Sequence, residues 1–276
     1  MLGFTLYRYL NSFDNNLVYG TIKNQIDFFN NNSKIFSGYD ATNTSIFLKL
    51  IKKIKPHFVI NCIGIIKQRD EGNDIKGMML INSIFPKKIS YFCSQYNIKF
   101  IQISTDCVYD GLVGSYSESD QMNAYDIYGI SKYLGEVYDS NHLTIRTSII
   151  GHELRNKKSL LEWVISKNKN KIYGFKNAIF SGLTTLELSK IIHKYLLNYK
   201  VKGLYHIASD PINKHDLIQI LIDQYNLDIK LLKNKRFKIN RSLNDKKFIK
   251  ISGYRHKKWD MMIKELRENF LLNKYN

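Results

Sequence analysis

Lys99-Phe-Ile-Gln-Ile-Ser-Thr-Asp-Cys-Val-Tyr-Asp-Gly111 is the stretch that decides the fold. Its first six residues form a short apolar run of the kind found in a strand buried on both faces. Hydroxyl and carboxylate side chains follow at once, at Ser104, Thr105 and Asp106. In an open α/β sheet, the carboxyl ends of the strands are where ligands bind. Two further apolar runs read the same way: His57-Phe-Val-Ile-Asn-Cys-Ile63, between Pro56 and Gly64, and His142-Leu-Thr-Ile-Arg146. Leu17-Val-Tyr-Gly20 is a weaker fourth. Helical patterns fill the intervals at 4–10, 45–54, 81–96 and 125–138. Strands separated by helices predict a doubly wound parallel sheet of the α/β class.

The pattern changes near residue 150. Beyond Gly151 helical stretches dominate, at 159–167, 185–197, 214–225 and 259–270. The expected organisation is a doubly wound part over 1–150 and a smaller, mostly helical part over 151–276. The two are interleaved near 178–208. No Pro- or Gly-rich linker divides them and no internal repeat is visible.

Composition narrows the function. The chain has 276 residues, 44% of them hydrophobic, with 19 Tyr and 15 Phe, which excludes a disordered chain. No apolar run approaches the ~18 residues of a membrane span. Three Cys cannot build a disulfide framework, so a reducing, cytoplasmic setting is expected. The seven His show no metal-ligand spacing, and no metal is expected. The net charge is +18, yet the basic residues are overwhelmingly Lys amid abundant Asn and Ile, as an AT-rich coding sequence would give. Segment 230–258 holds 12 basic residues and one acid, Asp245, interleaved with Phe237, Ile239, Leu243, Phe248, Ile251, Tyr254 and Trp259. That is a folded basic segment suited to an anionic group such as a diphosphate. It has no glycine-arginine repeat or RNA-binding module, so nucleic acid is not the expected partner.

The chemistry points to Tyr128-Gly-Ile-Ser-Lys132. A phenol and an ammonium four residues apart lie on one helix face, one turn from each other. A nearby ammonium favours phenolate and lowers the phenol pKa, which suits a tyrosine that gives its proton to a carbonyl oxygen. Among 19 Tyr and a Lys-rich background the pair alone says little. The strand and hydroxyl turn some twenty residues upstream supply its context.

At these residues the chain resembles the extended short-chain dehydrogenases/reductases, and within them the dTDP-4-dehydrorhamnose reductase-like family of nucleotide-sugar reductases. The resemblance runs over nearly the whole chain. It is carried by Met1-Leu-Gly3, Asn61-Cys-Ile-Gly64, 104–111, Tyr128-Gly-Ile-Ser-Lys-Tyr-Leu-Gly-Glu136 and Arg146-Thr-Ser148. Gly203-Leu-Tyr-His206, Arg241-Ser-Leu243 and Gly253-Tyr254 extend it downstream.

The resemblance implies roles. Tyr128 is the general acid toward a sugar keto oxygen. Lys132 lowers its pKa and bonds the nicotinamide ribose, and Thr105 holds the keto oxygen or the tyrosine hydroxyl. Gly3, Lys23, Asp40 and Asn61 join Tyr128 and Lys132 around the cofactor. Asp106, His152, Asn177 and Arg241 face the sugar nucleotide, with Arg241 on its diphosphate. After Gly20 there is no acid for a ribose 2′-hydroxyl, while Lys23 suits a 2′-phosphate, so NADPH is expected, with NADH the alternative. Related dehydratases carry a catalytic acid after the aspartate, where this chain has Cys107, which favours a reductase. An epimerase of the same superfamily stays open, as does a non-catalytic regulatory member. A homodimer is compatible with the resemblance. The first strand and first two glycines of the family's phosphate loop have no counterpart ahead of Gly3. The expectation is therefore that Met1 is an internal methionine of a longer protein, against the alternative of a truncated, inactive copy.

Overall fold

The computed structural model describes residues 1–26, 32–66, 74–138, 141–155, 157–198 and 200–272. Its centre is a four-stranded sheet, all parallel, in the order β3 (Phe58–Asn61), β4 (Lys99–Ile103), β5 (Leu143–Arg146) and β9 (Gly203–His206). A short parallel pair, β1 (Gly20–Thr21) with β2 (Ile35–Phe36), forms a separate ribbon.

Side-chain alternation shows why the sheet is wound on both faces. In β3, Phe58 and Ile60 turn to one apolar cluster and Val59 to another. In β4, Ile101 and Ile103 join the first and Phe100 the second. Helix α1 (Leu2–Asn11) covers the first face with Leu2, Leu6 and Leu10, beside Leu186, Leu188 and Ile191 of α7 (Thr185–Ile191). Phe47 and Ile51 of α2 (Thr44–Ile54) and Phe85, Ile89 and Cys93 of α4 (Phe85–Gln95) cover the second. Each fully buried aromatic or aliphatic side chain of this kind contributes about 1.5–3 kcal/mol.

The single helix expected at 81–96 is in fact interrupted. Helix α3 (Ile75–Met79) passes into a π-helical turn, Leu80–Ile84, before α4. The wider turn places Asn82 inside the protein, where its carboxamide receives the Ile65 N–H at 2.9 Å and donates to the Ile65 carbonyl and to Ser131 Oγ, both at 3.0 Å. Such bulges recur at functional sites.

The smaller part contains more than helices. A three-stranded sheet, order β10-β7-β11, is built from β7 (Lys171–Phe180), β10 (Ile212–Asn213) and β11 (Lys230–Asn240). The first half of the basic segment is therefore an eleven-residue strand. It runs parallel to β7 with a register break between Asn234 and Lys238. Its lysines and arginine fall where alternation would show, which hides the strand from a helix-or-strand reading. Helices α6 (Leu160–Ser166), α8 (Lys214–Tyr225), α9 (Lys246–Ser252) and α10 (Trp259–Leu272) complete this part. Between them the chain returns to the central sheet through β9, which pairs with β5.

Candidate active site

The site forms where β4 ends. Thr105 is extended, and its hydroxyl accepts the Cys107 N–H at 3.1 Å, capping a short 3₁₀ turn, Asp106–Val108. Helix α5 (Ile127–Leu134) starts against this turn, with the Asp126 carboxylate accepting the Gly129 N–H at 2.9 Å. Gly129 permits the approach: a Cβ there would stand 2.2 Å from the Cys107 carbonyl oxygen. This contact brings Tyr128 and Thr105 together, and their hydroxyls are hydrogen-bonded to each other.

Tyr128 is half-buried and its phenol is pushed above the ordinary range. Burial is the main cause, and Cys107 and Asp106 add to it. The expectation is a phenol lowered by Lys132; in the fold, burial prevails over any such lowering. Lys132 is buried, and its ammonium donates to the Ile103 carbonyl at 2.6 Å. Burial lowers its own pKa to about 8 against the pull of Glu136 and Cys62. Glu136, two residues past the end of α5, favours the ammonium but is itself paired with Arg146. The phenol, protonated at neutral pH, is in the form that a proton donor needs.

Asp106 lies beneath Thr105, which donates to Asp106 Oδ1 at 3.1 Å, and it is also hydrogen-bonded by Ser148. Burial raises its pKa, opposed by Arg241 and Lys214. Arg241 reaches the site from the end of β11: Nε donates to the Tyr109 carbonyl at 2.8 Å and Nη1 to Cys107 Sγ at 3.5 Å. Gly111, at φ +84°, lets the 109–116 loop close on it, since a Cβ would stand 2.4 Å from Ile239 and 2.9 Å from Arg241. Lys214 enters from α8, its ammonium 3.9 Å from the Phe180 ring centre. Burial lowers it to about 8, while Asp106 and Cys107 pull the other way.

Thr105, Asp106, Tyr128, Lys132 and Arg241 are therefore gathered in one place. His152 is not free to join them. Its ring nitrogens meet Glu162 at 3.0 Å and Tyr225 at 2.8 Å, and its face stacks on Phe270 at 3.6 Å. Asn177 is exposed and donates to the Lys235 carbonyl across the β7–β11 register break. Asn61 ties β3 to β4, donating to Gln102 at 2.9 Å and accepting the Ile63 N–H at 3.0 Å. Those engagements are structural ones. Gly3 packs against Cys62, just past β3. Lys23 and Asp40 stand after β1 and β2 and pair with each other at 2.8 Å. Lys23 and a pair of Thr42 hydrogen bonds hold the Asp40 carboxyl down at about 2. Lys214 and Asn82 are the site residues that sequence reading does not single out. A lone Lys in a Lys-rich chain carries no signal, and Asn82 acts through a π turn that no apolar period announces.

A parallel sheet wound on both faces, with a hydroxyl turn at a strand end facing a Tyr-x-x-x-Lys helix, defines the class: an extended short-chain dehydrogenase/reductase fold and site. The family model described as the RmlD substrate binding domain matches residues 1–266, and the chain belongs to that family. It is 25% identical over 202 residues to the dTDP-4-dehydrorhamnose reductase of Aggregatibacter actinomycetemcomitans, covering 68% of each chain. Among solved structures it resembles a hypothetical dTDP-4-dehydrorhamnose reductase from Sulfolobus tokodaii, with TM-score 0.77 and 24% identity over 94% of both chains. It also resembles the dTDP-4-dehydrorhamnose reductase from Bacillus anthracis in complex with NADP, with TM-score 0.75 and 19% identity over 91% of this chain and 99% of that one.

Proposed function

We propose that this protein reduces a keto group on a nucleotide-linked deoxysugar with NADPH, supplying a sugar precursor for polysaccharide synthesis. The observation that carries the reading is the Thr105–Tyr128 hydroxyl pair at the end of β4, with the buried Lys132 one turn further along α5. The relatives named above support the substrate class and the cofactor.

The residues present fit the dinucleotide at both ends. Lys132 stands beside the loop after β3, its ammonium 3.7 Å from where a Cβ on Gly64 would lie. At the other end Lys23 is largely exposed, with donors beyond the one Asp40 takes. Ile22, Gln25, Ile26, Asn32, Ser33, Ile35 and Ser37 line a cavity of ≈ 340 Å³ beside the β1–β2 ribbon. That volume is within the range of small-molecule sites. Bound NADPH would supply the hydride, and Lys132 and Lys23 would hold its nicotinamide ribose and 2′-phosphate.

The chain's own residues do the rest. Tyr128 donates its proton to the keto oxygen as charge develops there, and Thr105 holds the two oxygens in line. Lys132 then steadies the phenolate left behind. Arg241 faces the anionic part of the substrate. A cytoplasmic location and a homodimer belong to the same proposal. Light scattering on the purified protein tests the dimer. Loss of NADPH absorbance across a panel of nucleotide-linked keto sugars tests the reaction. Absence of turnover with every member of the panel removes the reading.

A further inference from the structure

Lys214 is the first residue of α8 and follows the two-residue strand β10. Its position is fixed from both sides. The Asn213 side chain caps the helix by accepting the Asp216 N–H at 2.9 Å, and Ile212 and Asn213 pair with Phe180 and Ile179 of β7. The ammonium thus stands over the Phe180 ring and faces Asp106 and Cys107.

Among the described residues the Lys214 ammonium has no hydrogen-bond partner, although the side chain is half-buried. Other enclosed lysines behave differently. Lys132 donates to the Ile103 carbonyl and Lys99 to the carbonyls of Asn198 and Val201. A partly desolvated cation with unpaired donors is costly unless another group completes it. Its place decides what that group is. Asp106 and Cys107 directly follow Thr105, and a reacting carbonyl must lie within hydrogen-bond reach of Thr105 and Tyr128. Lys214 therefore stands at the reacting end of a substrate, away from the base, and Arg241, held by Tyr109 and Cys107 at the end of β11, is the cation left for the diphosphate.

We infer that Lys214 donates a hydrogen bond to an oxygen of the reacting sugar and, with Asp106 as the neighbouring acceptor, selects sugars that carry an oxygen there. This inference rests on the reductase reading and deepens it. Lys214→Met keeps the length and apolar stem while removing the donors and the charge, and it relieves a desolvated cation, so its melting temperature should equal or exceed the parent's. Titration calorimetry with dTDP and with a dTDP-linked hexose separates the possibilities. The expected result is a loss of about 10- to 100-fold in hexose-nucleotide affinity with dTDP affinity unchanged, and partial recovery in Lys214→Arg. Equal losses for both ligands would place the contact on the diphosphate and overturn the inference, as would no loss for either. Failure of the parent protein to bind either ligand would instead overturn the reductase reading on which it stands.

Discussion

Arg146 grips Glu136 through two parallel hydrogen bonds, Nε to Oε1 at 2.8 Å and Nη2 to Oε2 at 2.7 Å, with both side chains about 1% exposed. Ser104 adds a third bond to Glu136 Oε1 at 2.6 Å, and Arg146 Nη1 donates to the Tyr109 hydroxyl at 2.7 Å. The end of β4, the end of β5 and the turn after α5 are locked together by this one carboxylate. Removing one member of such a buried pair leaves a charge stranded. Arg146→Met or Glu136→Leu should each lower unfolding free energy by about 3–5 kcal/mol, read by urea denaturation. The double variant should recover much of that loss, because neither member of the pair is left without the other.

Gly129 sets how closely the tyrosine helix meets the hydroxyl turn. In Gly129→Ala the added methyl would meet the Cys107 carbonyl, which is backbone and cannot rotate away. We expect about 1–3 kcal/mol of destabilisation, together with a larger fractional loss of turnover than of cofactor affinity. Thermal melts alongside steady-state rates check both parts. An unchanged rate would mean that the Thr105–Tyr128 distance does not depend on this contact.

His256 bridges Asp210 and Asp245, at 2.8 Å on each ring nitrogen, and joins the loop before α10 to the segment after β9. Hydrogen bonding to Asp245 comes first among the causes that raise its pKa from 6.5 to about 9. A raised pKa means the folded state holds the proton more tightly. The stabilisation is fully present below about pH 6.5 and is lost as pH rises through about 9. Melting temperature should therefore decline over that window beyond the decline seen in His256→Gln.

Asn82 satisfies the main chain of Ile65 from inside the π turn. Asn82→Ala leaves a buried N–H and carbonyl unpaired, at a cost of about 1–3 kcal/mol each. Hydrogen exchange should quicken first around residues 63–66 and 131–135. Leucine in place of Asn82 would not restore protection, since the missing groups are polar.

Much of this architecture is legible in the chain itself. The runs at 99–103 and 143–146 are short, are built on Phe100, Ile101, Ile103, Leu143 and Ile145, and are followed by turn residues, so the strands show directly. Tyr128 and Lys132 show because one helical turn separates them. β11 does not show, because lysines and an arginine occupy its exposed positions and blur the two-residue period into a charge run, and β7 does not show because Tyr173 and Phe175 on its exposed side mask the alternation. His152 illustrates the opposite problem. The family resemblance puts it on the sugar nucleotide, yet Glu162, Tyr225 and Phe270 arrive from three different helices to enclose it, and only the folded chain reveals that. Lys214 and Phe180 are likewise distant in sequence, and what joins them is the β10–β7 pairing.

The central claim is that the Tyr128 hydroxyl delivers the proton in a carbonyl reduction. The most direct measurement is single-turnover oxidation of NADPH by the parent protein and by Tyr128→Phe, with a dTDP-linked 4-keto-6-deoxyhexose as substrate. The account predicts a rate about 10²- to 10⁴-fold lower in the variant, with NADPH affinity retained because Lys132 and Lys23 are untouched. Equal rates in the two proteins would contradict it.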